Sequence, residues 1–552
     1  MNRILVLVRW VLLVASAATV PAQVVSNNVT SNRLLNAGQE PQNWLTYSGT
    51  YMSQRHSALV QITPQNVKAL EQQWVFQARS LEKFEATPLV VDGILYTVQA
   101  PNDIVALDPA SGRVFWTYSY SPSQVARPCC GRVNRGVAIA GDTLFMGTID
   151  AHLVAVDAKT GRPLWNVPVA KPDAGYAITH APLVIKDKVL VGVAGGEYGI
   201  RGFISAYDVK TGKEAWRFNT IPGPGETGHE TWKGDSWKTG GASVWVTGSY
   251  DADLNLTYWG IGNAGPDYNG DIREGDNLYS SSVVALDADT GKIKWHYQFS
   301  PHDEFDYDAV QVPVLADIVW QGVTRRVMLW ANRNGFFYVL DRATGQFLLG
   351  KPFVEVNWAS GFDEKGRPMR VAGKVPTAEG TIIFPGNQGG TNWYSPSFSP
   401  HTGLFYIPTW ANYSSLYIKD KAEYQEGQRF LGTSPRSLIG GANGGVSKIN
   451  TRKEGEGYGA IRAIDPATGE RKWEYKMNDV TDAGILTTAS DVLFSGGREG
   501  YFYALDARSG ELLWRANLGG QIASGPMSYA INGRQYVAIS AGNSLFVYAL
   551  KE

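Results

Sequence analysis

Cysteine is almost missing from this chain: two residues in 552, Cys129 and Cys130, and they are neighbours. Adjacent thiols cannot tie distant parts of a fold together, and the seven histidines (56, 152, 180, 229, 296, 302 and 401) form no close spacing with them. A Cys/His zinc site is therefore not expected, and with no C-x-x-C-H run covalently attached c-type haem is excluded. Charge is scarce as well. With 18% charged residues, 50 Lys+Arg against 51 Asp+Glu and a net charge of −1, the chain has no basic stripe, which excludes a nucleic-acid partner. Beyond residue 22 no apolar run is long enough to cross a bilayer, so no stable membrane insertion is expected.

Residues 1–22 read as an export signal. Arg3 supplies the positive start, Ile4–Val14 is apolar apart from Arg9, and Val20-Pro21-Ala22 ends the run on small residues. Arg9 and the Ala/Ser/Thr-rich end leave too little continuous apolar length for a membrane anchor. Cleavage near Ala22 and a periplasmic location are expected for the mature chain, 23–552. Its length is about three times a typical domain, which a single large β-architecture also reaches. Glycine is abundant, 61 of 552, or about 11% against roughly 7% in an average chain, as many tight turns require.

One pattern recurs seven times: apolar-Asp-x-x-[Thr/Ser]-Gly-x-x-x-Trp. It runs from Asp108 to Trp116, Asp157 to Trp165, Asp208 to Trp216, Asp287 to Trp295, Asp341 to Leu349, Asp465 to Trp473 and Asp506 to Trp514, and only the fifth copy lacks the Trp. The Asp and the hydroxyl accept backbone N–H groups of a turn, and Gly takes the φ > 0 position that closes a hairpin. A second hairpin of β-branched residues precedes most copies, as in TPLVVDGILYTV (87–98) and APLVIKDKVLVGV (181–193).

Two hairpins per repeat make a four-stranded antiparallel sheet, and such sheets around an axis make an all-β propeller. The repeated Trp residues are then packing between blades. GLFYIPTW (403–410) belongs with the Asp465 copy across a polar insertion around 411–457. At the end, YVAISAG (536–542) and SLFVYAL (544–550) lack an outer strand, which QQWVFQ (72–77) can supply. Pairing the N- and C-terminal strands closes a single domain of eight blades and protects its edges.

Function should sit where the repeat is broken. In RPCCGRVNRG (127–136), a Cys129–Cys130 bond would form a strained ring, yet an oxidising compartment favours it; buried free thiols are the alternative. Oxygen donors gather at Glu197 in AGGEYGIRG, Asn263 in GIGNAGPDYN, and Asp306 with Asp308 in SPHDEFDYDAV. Such donors suit a hard cation, and two carboxylates two residues apart in an extended segment point to one side; a solvated acidic loop is the alternative. Trp232, in TWKGDSW (231–237), lies off the repeat register and could stack on a flat ligand or fill core.

Taken in order, CC-x-x-x-NRG, GGE-x-G-x-RG, TWKGD-x-W, GxGN, PHDE-aromatic-DYD and NRNG-aromatic-aromatic-x-LDR resemble the PQQ-dependent alcohol dehydrogenases, including methanol dehydrogenases, over the chain from about Asn43 to its end. The resemblance implies an eight-bladed propeller with the planar quinone PQQ held between Trp232 and a Cys129–Cys130 disulfide. It implies Glu197, Asn263 and Asp306 as metal ligands, with Asp306 also the base and Arg333 beside the quinone carbonyls. Glu85, Arg135, Thr148, Asn392 and Trp393 match positions that hold the cofactor's polar edge.

The implied reaction oxidises a primary alcohol to an aldehyde, with electrons passed to an external cytochrome c. Asp308, two after the base, resembles the lanthanide-dependent members, because one more carboxylate balances a trivalent ion. A lanthanide of the La/Ce/Pr/Nd type is therefore expected, with Ca²⁺ as the alternative. Asp482 stands where methanol dehydrogenases carry a Trp over the site, and Ala194 where they carry a Ser, so primary alcohols such as ethanol are expected over methanol. A calcium quinoprotein acting on alcohols or sugars, and a non-catalytic propeller scaffold, are the competing readings; a homodimer is left open.

Overall fold

The computed structural model describes residues 28–433, 436–437 and 457–551. The leader expected over 1–22 lies outside them, as does 438–456 of the expected insertion. Eight antiparallel blades of four strands follow one another along the chain, and His56–Ser57 adds a fifth, parallel strand to the one that begins at Leu486. Blades 1 to 7 span 89–118, 138–168, 183–219, 249–298, 314–352, 397–476 and 486–517, each with its first strand innermost. Blade 8 takes three strands from 527–550 and its outer strand from Leu70–Gln77, antiparallel to Ser544–Leu550. The closure expected from the two termini is thus present.

Burial follows position within a blade. Inner strands such as Leu183–Ile185 are covered on both faces, while outer strands such as Pro163–Pro168 alternate between exposed and half-buried residues. The Asp turns join third and fourth strands. At Asp157, Oδ1 accepts the Thr160 N–H at 2.9 Å and the Thr160 hydroxyl at 2.7 Å. Gly161 has φ +72°, and a Cβ there would lie 2.6 Å from the ring of Trp116 in the preceding blade. Glycine is therefore needed twice over, for its dihedral and for the approach of the neighbouring indole.

This contact repeats around the ring: Trp165 covers Gly212, Trp216 covers Gly291, Trp295 covers Gly345 and Trp473 covers Gly510. Leu349 covers Gly469 where the Trp is missing. Trp74, from the closing strand, covers Gly112 of blade 1 and donates its indole N–H to Pro109 O at 3.1 Å. The repeated Trp residues are packing, and they key each blade to the next.

The axis is occupied by the chain's own N-terminal segment, 44–57. Its backbone is bonded to Val90 in blade 1, Tyr250 in blade 4, Leu315 in blade 5, Phe398 in blade 6 and Thr487 in blade 7. The Tyr51 hydroxyl reaches Val184 O in blade 3. Arg55, fully buried, donates to Tyr47 O at 3.1 Å and to Pro526 O at 2.7 Å, just ahead of blade 8.

Candidate functional site

Antiparallel strands place the start of a blade's first strand and the end of its second at one end of the propeller. The Asp turns sit at the other end, so the repeated motif and the functional loops are kept apart. The segment entering each innermost strand supplies at least one wall residue to a shared cavity of about 630 Å³. It lies four residues ahead of the strand in six blades (Glu85, Thr179, Trp245, Trp393, Asp482, Ala523), three ahead in blade 2 (Arg135) and six ahead in blade 5 (Asp308). Loops between second and third strands add Ala194, Glu197, Asp267, Tyr268, Arg333 and Arg498.

One end of the cavity is acidic. Arg333 joins Asp306 and Asp308, donating to Asp306 Oδ2 at 2.9 Å and Asp308 Oδ2 at 2.7 Å, while its Nε is fixed by Asn387 O at 2.7 Å. Asp306 Oδ2 also accepts the Tyr268 hydroxyl at 3.1 Å. Asp308 Oδ1 accepts the Asn263 backbone N–H at 2.9 Å, an approach that Gly262 permits because a Cβ there would sit 2.5 Å from that oxygen. Asp306 has φ +61°, in the left-handed region, a strain of the kind that surrounding structure holds at functional sites.

Burial pushes the carboxyls of Asp306, Asp308 and Asp267 above the usual carboxylate range. Arg333 pulls the first two back, and mutual repulsion with Glu197 adds to the rise in all three. A cation among them would reverse that repulsion and favour the ionised forms.

The rest of the wall is mixed. Glu85 meets Arg135 in a buried ion pair at 2.8 Å, and burial still raises its carboxyl. The Arg135 guanidinium lies 4.2 Å from the Trp393 ring centroid and 5.2 Å from that of Trp245. Asp482 pairs with Arg498 at 2.8 Å, and Arg498 lies over Trp410. Cys129, Cys130 and Glu197 bring their sulfur and carboxylate atoms within 4.8 Å of one another. A hydrogen bond between the two sulfurs raises the Cys129 thiol and lowers that of Cys130.

The structure gathers Glu85, Cys129, Cys130, Arg135, Glu197, Asp306, Asp308, Arg333, Asn392 and Trp393 around this one cavity, with Ala194 and Asp482. Three expected residues are off the wall. Trp232 is buried, its indole N–H given to Leu278 O at 2.6 Å and its ring pressed on Gly240; Trp245 lines the cavity instead. Thr148 is tied into its own turn through Asp150 and the His152 N–H, and Thr179, whose hydroxyl accepts from Arg135 at 3.1 Å, takes the cavity position. Asn263 stands behind the wall rather than on it, with its backbone on Asp308. The two cysteines are free thiols here.

Sequence reasoning also passed over Lys83, Ser243, Asp267, Arg429 and Leu431, all on the wall. The signal that finds Thr179 and Trp245 is register, four residues ahead of an innermost strand.

The residues fit both groups that the sequence implies. Buried carboxylates with raised affinity for protons are a donor set for a hard cation. The cavity volume, the indole of Trp245 and the cations Lys83, Arg135 and Arg498 suit a flat ligand bearing carboxylates. Arg135 Nε is buried without a hydrogen-bond partner within the protein, as a group awaiting an acceptor would be.

Known proteins place the chain in one family. The PQQ family model described as glucose/ethanol/alcohol dehydrogenase, beta-propeller domain, matches residues 44–359 and 364–537. The quinohemoprotein alcohol dehydrogenase ADH IIB of Pseudomonas putida is 40% identical over 517 residues, covering 90% of this chain and 73% of that protein. The lanthanide-dependent methanol dehydrogenase of Methylacidiphilum fumariolicum (strain SolV) is 37% identical over 544 residues, covering 93% of this chain and 86% of that protein. A solved europium-containing methanol dehydrogenase superposes with a TM-score of 0.87 at 34% identity, over 94% of this chain and 100% of its own.

Proposed function

The chain belongs to the PQQ-dependent glucose/ethanol/alcohol dehydrogenase β-propeller family, and from that premise we propose that it is a periplasmic dehydrogenase that oxidises primary alcohols to aldehydes. A lanthanide ion is its Lewis acid, and a separate cytochrome c takes its electrons. The observation that carries the reading is the joined group Asp306, Asp308 and Arg333, facing the same cavity as Glu197 and the Cys129–Cys130 pair. Glu197, Asn263, Asp306 and Asp308 would hold the metal. Glu85, Arg135, Thr179, Trp245, Asn392 and Trp393 would hold PQQ, with the cysteines closed into a disulfide.

When bound, PQQ supplies the two-electron acceptor and the metal polarises it. The chain's own residues do the rest. Asp306 takes the hydroxyl proton of the alcohol on its carboxylate, and the Tyr268 hydroxyl and Arg333 aim that carboxylate through Oδ2. Arg333 carries the positive charge that stabilises negative charge developing beside it.

One observation favours calcium as the second reading. Both Asp308 oxygens already have protein donors, Asn263 N–H on Oδ1 and Arg333 on Oδ2, so this carboxylate can serve as a support rather than a ligand. For the substrate, the Asp482–Arg498 pair makes part of the wall polar, which supports alcohols beyond methanol. Protein loaded with PQQ and La³⁺ should reduce an artificial dye with ethanol and longer primary alcohols at kcat/KM at least equal to that with methanol. A profile in which methanol is far ahead would contradict this substrate range, and failure to take up PQQ would contradict the reading as a whole.

A further inference from the structure

Asp267 is an acidic residue on the cavity wall with a hydrogen-bonding position left idle. It sits in the loop after the strand Leu256–Gly260, three per cent exposed, and its Oδ1 has no hydrogen-bond partner. Three other carboxylates there accept hydrogen bonds from the protein. Asp306 Oδ2 accepts from Arg333 and Tyr268, both Asp308 oxygens accept, and Asp482 accepts from Arg498 and Gln521. Glu85 Oε2 makes no well-angled hydrogen bond, but the Arg135 guanidinium stands 2.8 Å from it. A buried carboxylate oxygen that meets no donor is costly unless something else occupies that place.

The neighbours of Asp267 say what that is. It lines the same cavity as Glu197 and Asp308, and burial together with their negative charges raises its carboxyl. A donor or cation is what such a group lacks, and a cation is what its neighbours lack as well. Resting on the metal reading above, we propose that Asp267 is a further carboxylate ligand of the ion at this centre.

The assignment bears on which ion. Two loops of neighbouring blades and the segment entering a third then converge: Glu197 from blade 3, Asn263 with Asp267 from blade 4, and Asp306 with Asp308 ahead of blade 5. Four carboxylates and the Arg333 guanidinium leave a centre that a trivalent ion neutralises and a divalent ion does not. Asp267 thus supplies the extra negative ligand even where Asp308 is held by Asn263 and Arg333. Large hard cations accept about six to eight oxygens, so one more donor is accommodated by displacing water.

Eu³⁺ luminescence tests this without turnover, because lifetimes in H₂O and D₂O count the water molecules on the ion. Metal-free protein without PQQ is titrated with Eu³⁺ for wild type, Asp267→Asn, Asp267→Glu and the surface control Asp235→Asn, with near-UV circular dichroism confirming each fold. Asp267→Asn should weaken Eu³⁺ by roughly tenfold or more and add about one bound water, with Asp267→Glu restoring part of the loss. The control should match wild type. An Asp267→Asn protein with wild-type affinity and water count would overturn this assignment alone, and if its alcohol profile changed, Asp267 would be a substrate-facing residue. A wild-type protein that binds no Eu³⁺ would overturn the metal reading together with it.

Discussion

Asp308 shows how much one side chain carries. Its two oxygens join the blade 4 loop, through Asn263 N–H, to Arg333 after the second strand of blade 5. Asp308→Ala would release both and remove one carboxylate, so lanthanide-supported turnover should fall by roughly a hundredfold or more, measured as kcat/KM with saturating La³⁺. Intact turnover would contradict its assignment. His180 offers a separate reading at this scale. It is fully buried, accepts the Gly192 N–H at 3.0 Å, lies 2.8 Å from Ala181 O, and burial pushes its imidazole down to about 4.

Because the folded His180 resists a proton that the unfolded chain takes near pH 6.5, its share of stability is whole above that pH. It is lost as pH falls towards 4 and amounts to about 3 kcal/mol at most. Denaturant unfolding should therefore lose stability more steeply between pH 6.5 and 4 in wild type than in His180→Gln. Equal slopes would contradict this. Residue identity was legible where motif and register coincide, as at Cys129, Glu197, Asp306 and Arg333. It was not legible for Trp232 against Trp245: both lie in one stretch off the repeat, and only the start of the strand Ser249–Asp251 shows which of them faces the axis.

Among the elements, the Asp turn and its neighbouring indole form one unit spread over two blades. Gly161→Ala forces a Cβ to within 2.6 Å of Trp116 at φ +72°, and a cost of about 1–3 kcal/mol is expected in the unfolding free energy. Gly93→Ala also sits at positive φ, +85°, but meets nothing within 4 Å, so it should cost less. Equal losses would mean that the indole contact contributes nothing. The turn was readable from sequence because its Asp, hydroxyl and Gly are within five residues of each other. The loops that line the cavity lack such local constraint, and their side chains are positioned by partners far along the chain, as Arg333 is by Asn387 O.

Taken whole, the ring is held at three levels: the closing strand of blade 8, the indole contacts between blades, and the segment 44–57 along the axis. The first two were legible, since each blade's missing strand and each Trp stand in the repeat. The third was not, because 44–57 carries neither repeat nor periodicity and acts through backbone bonds to innermost strands. Arg55→Leu would leave Tyr47 O and Pro526 O buried without their donor. A loss of about 2–5 kcal/mol in global unfolding is expected, with blade 8 no longer tied to the axis; an unchanged unfolding midpoint would contradict this role.

The central claim is that these loops bring together a quinone site and a trivalent metal site. Its most direct test is dye-linked ethanol oxidation by metal-free protein supplied with PQQ, with La³⁺ and Ca²⁺ compared side by side. Activity with La³⁺ and little or none with Ca²⁺ is the predicted result. Activity with Ca²⁺ alone would contradict the claim and leave a calcium quinoprotein in its place.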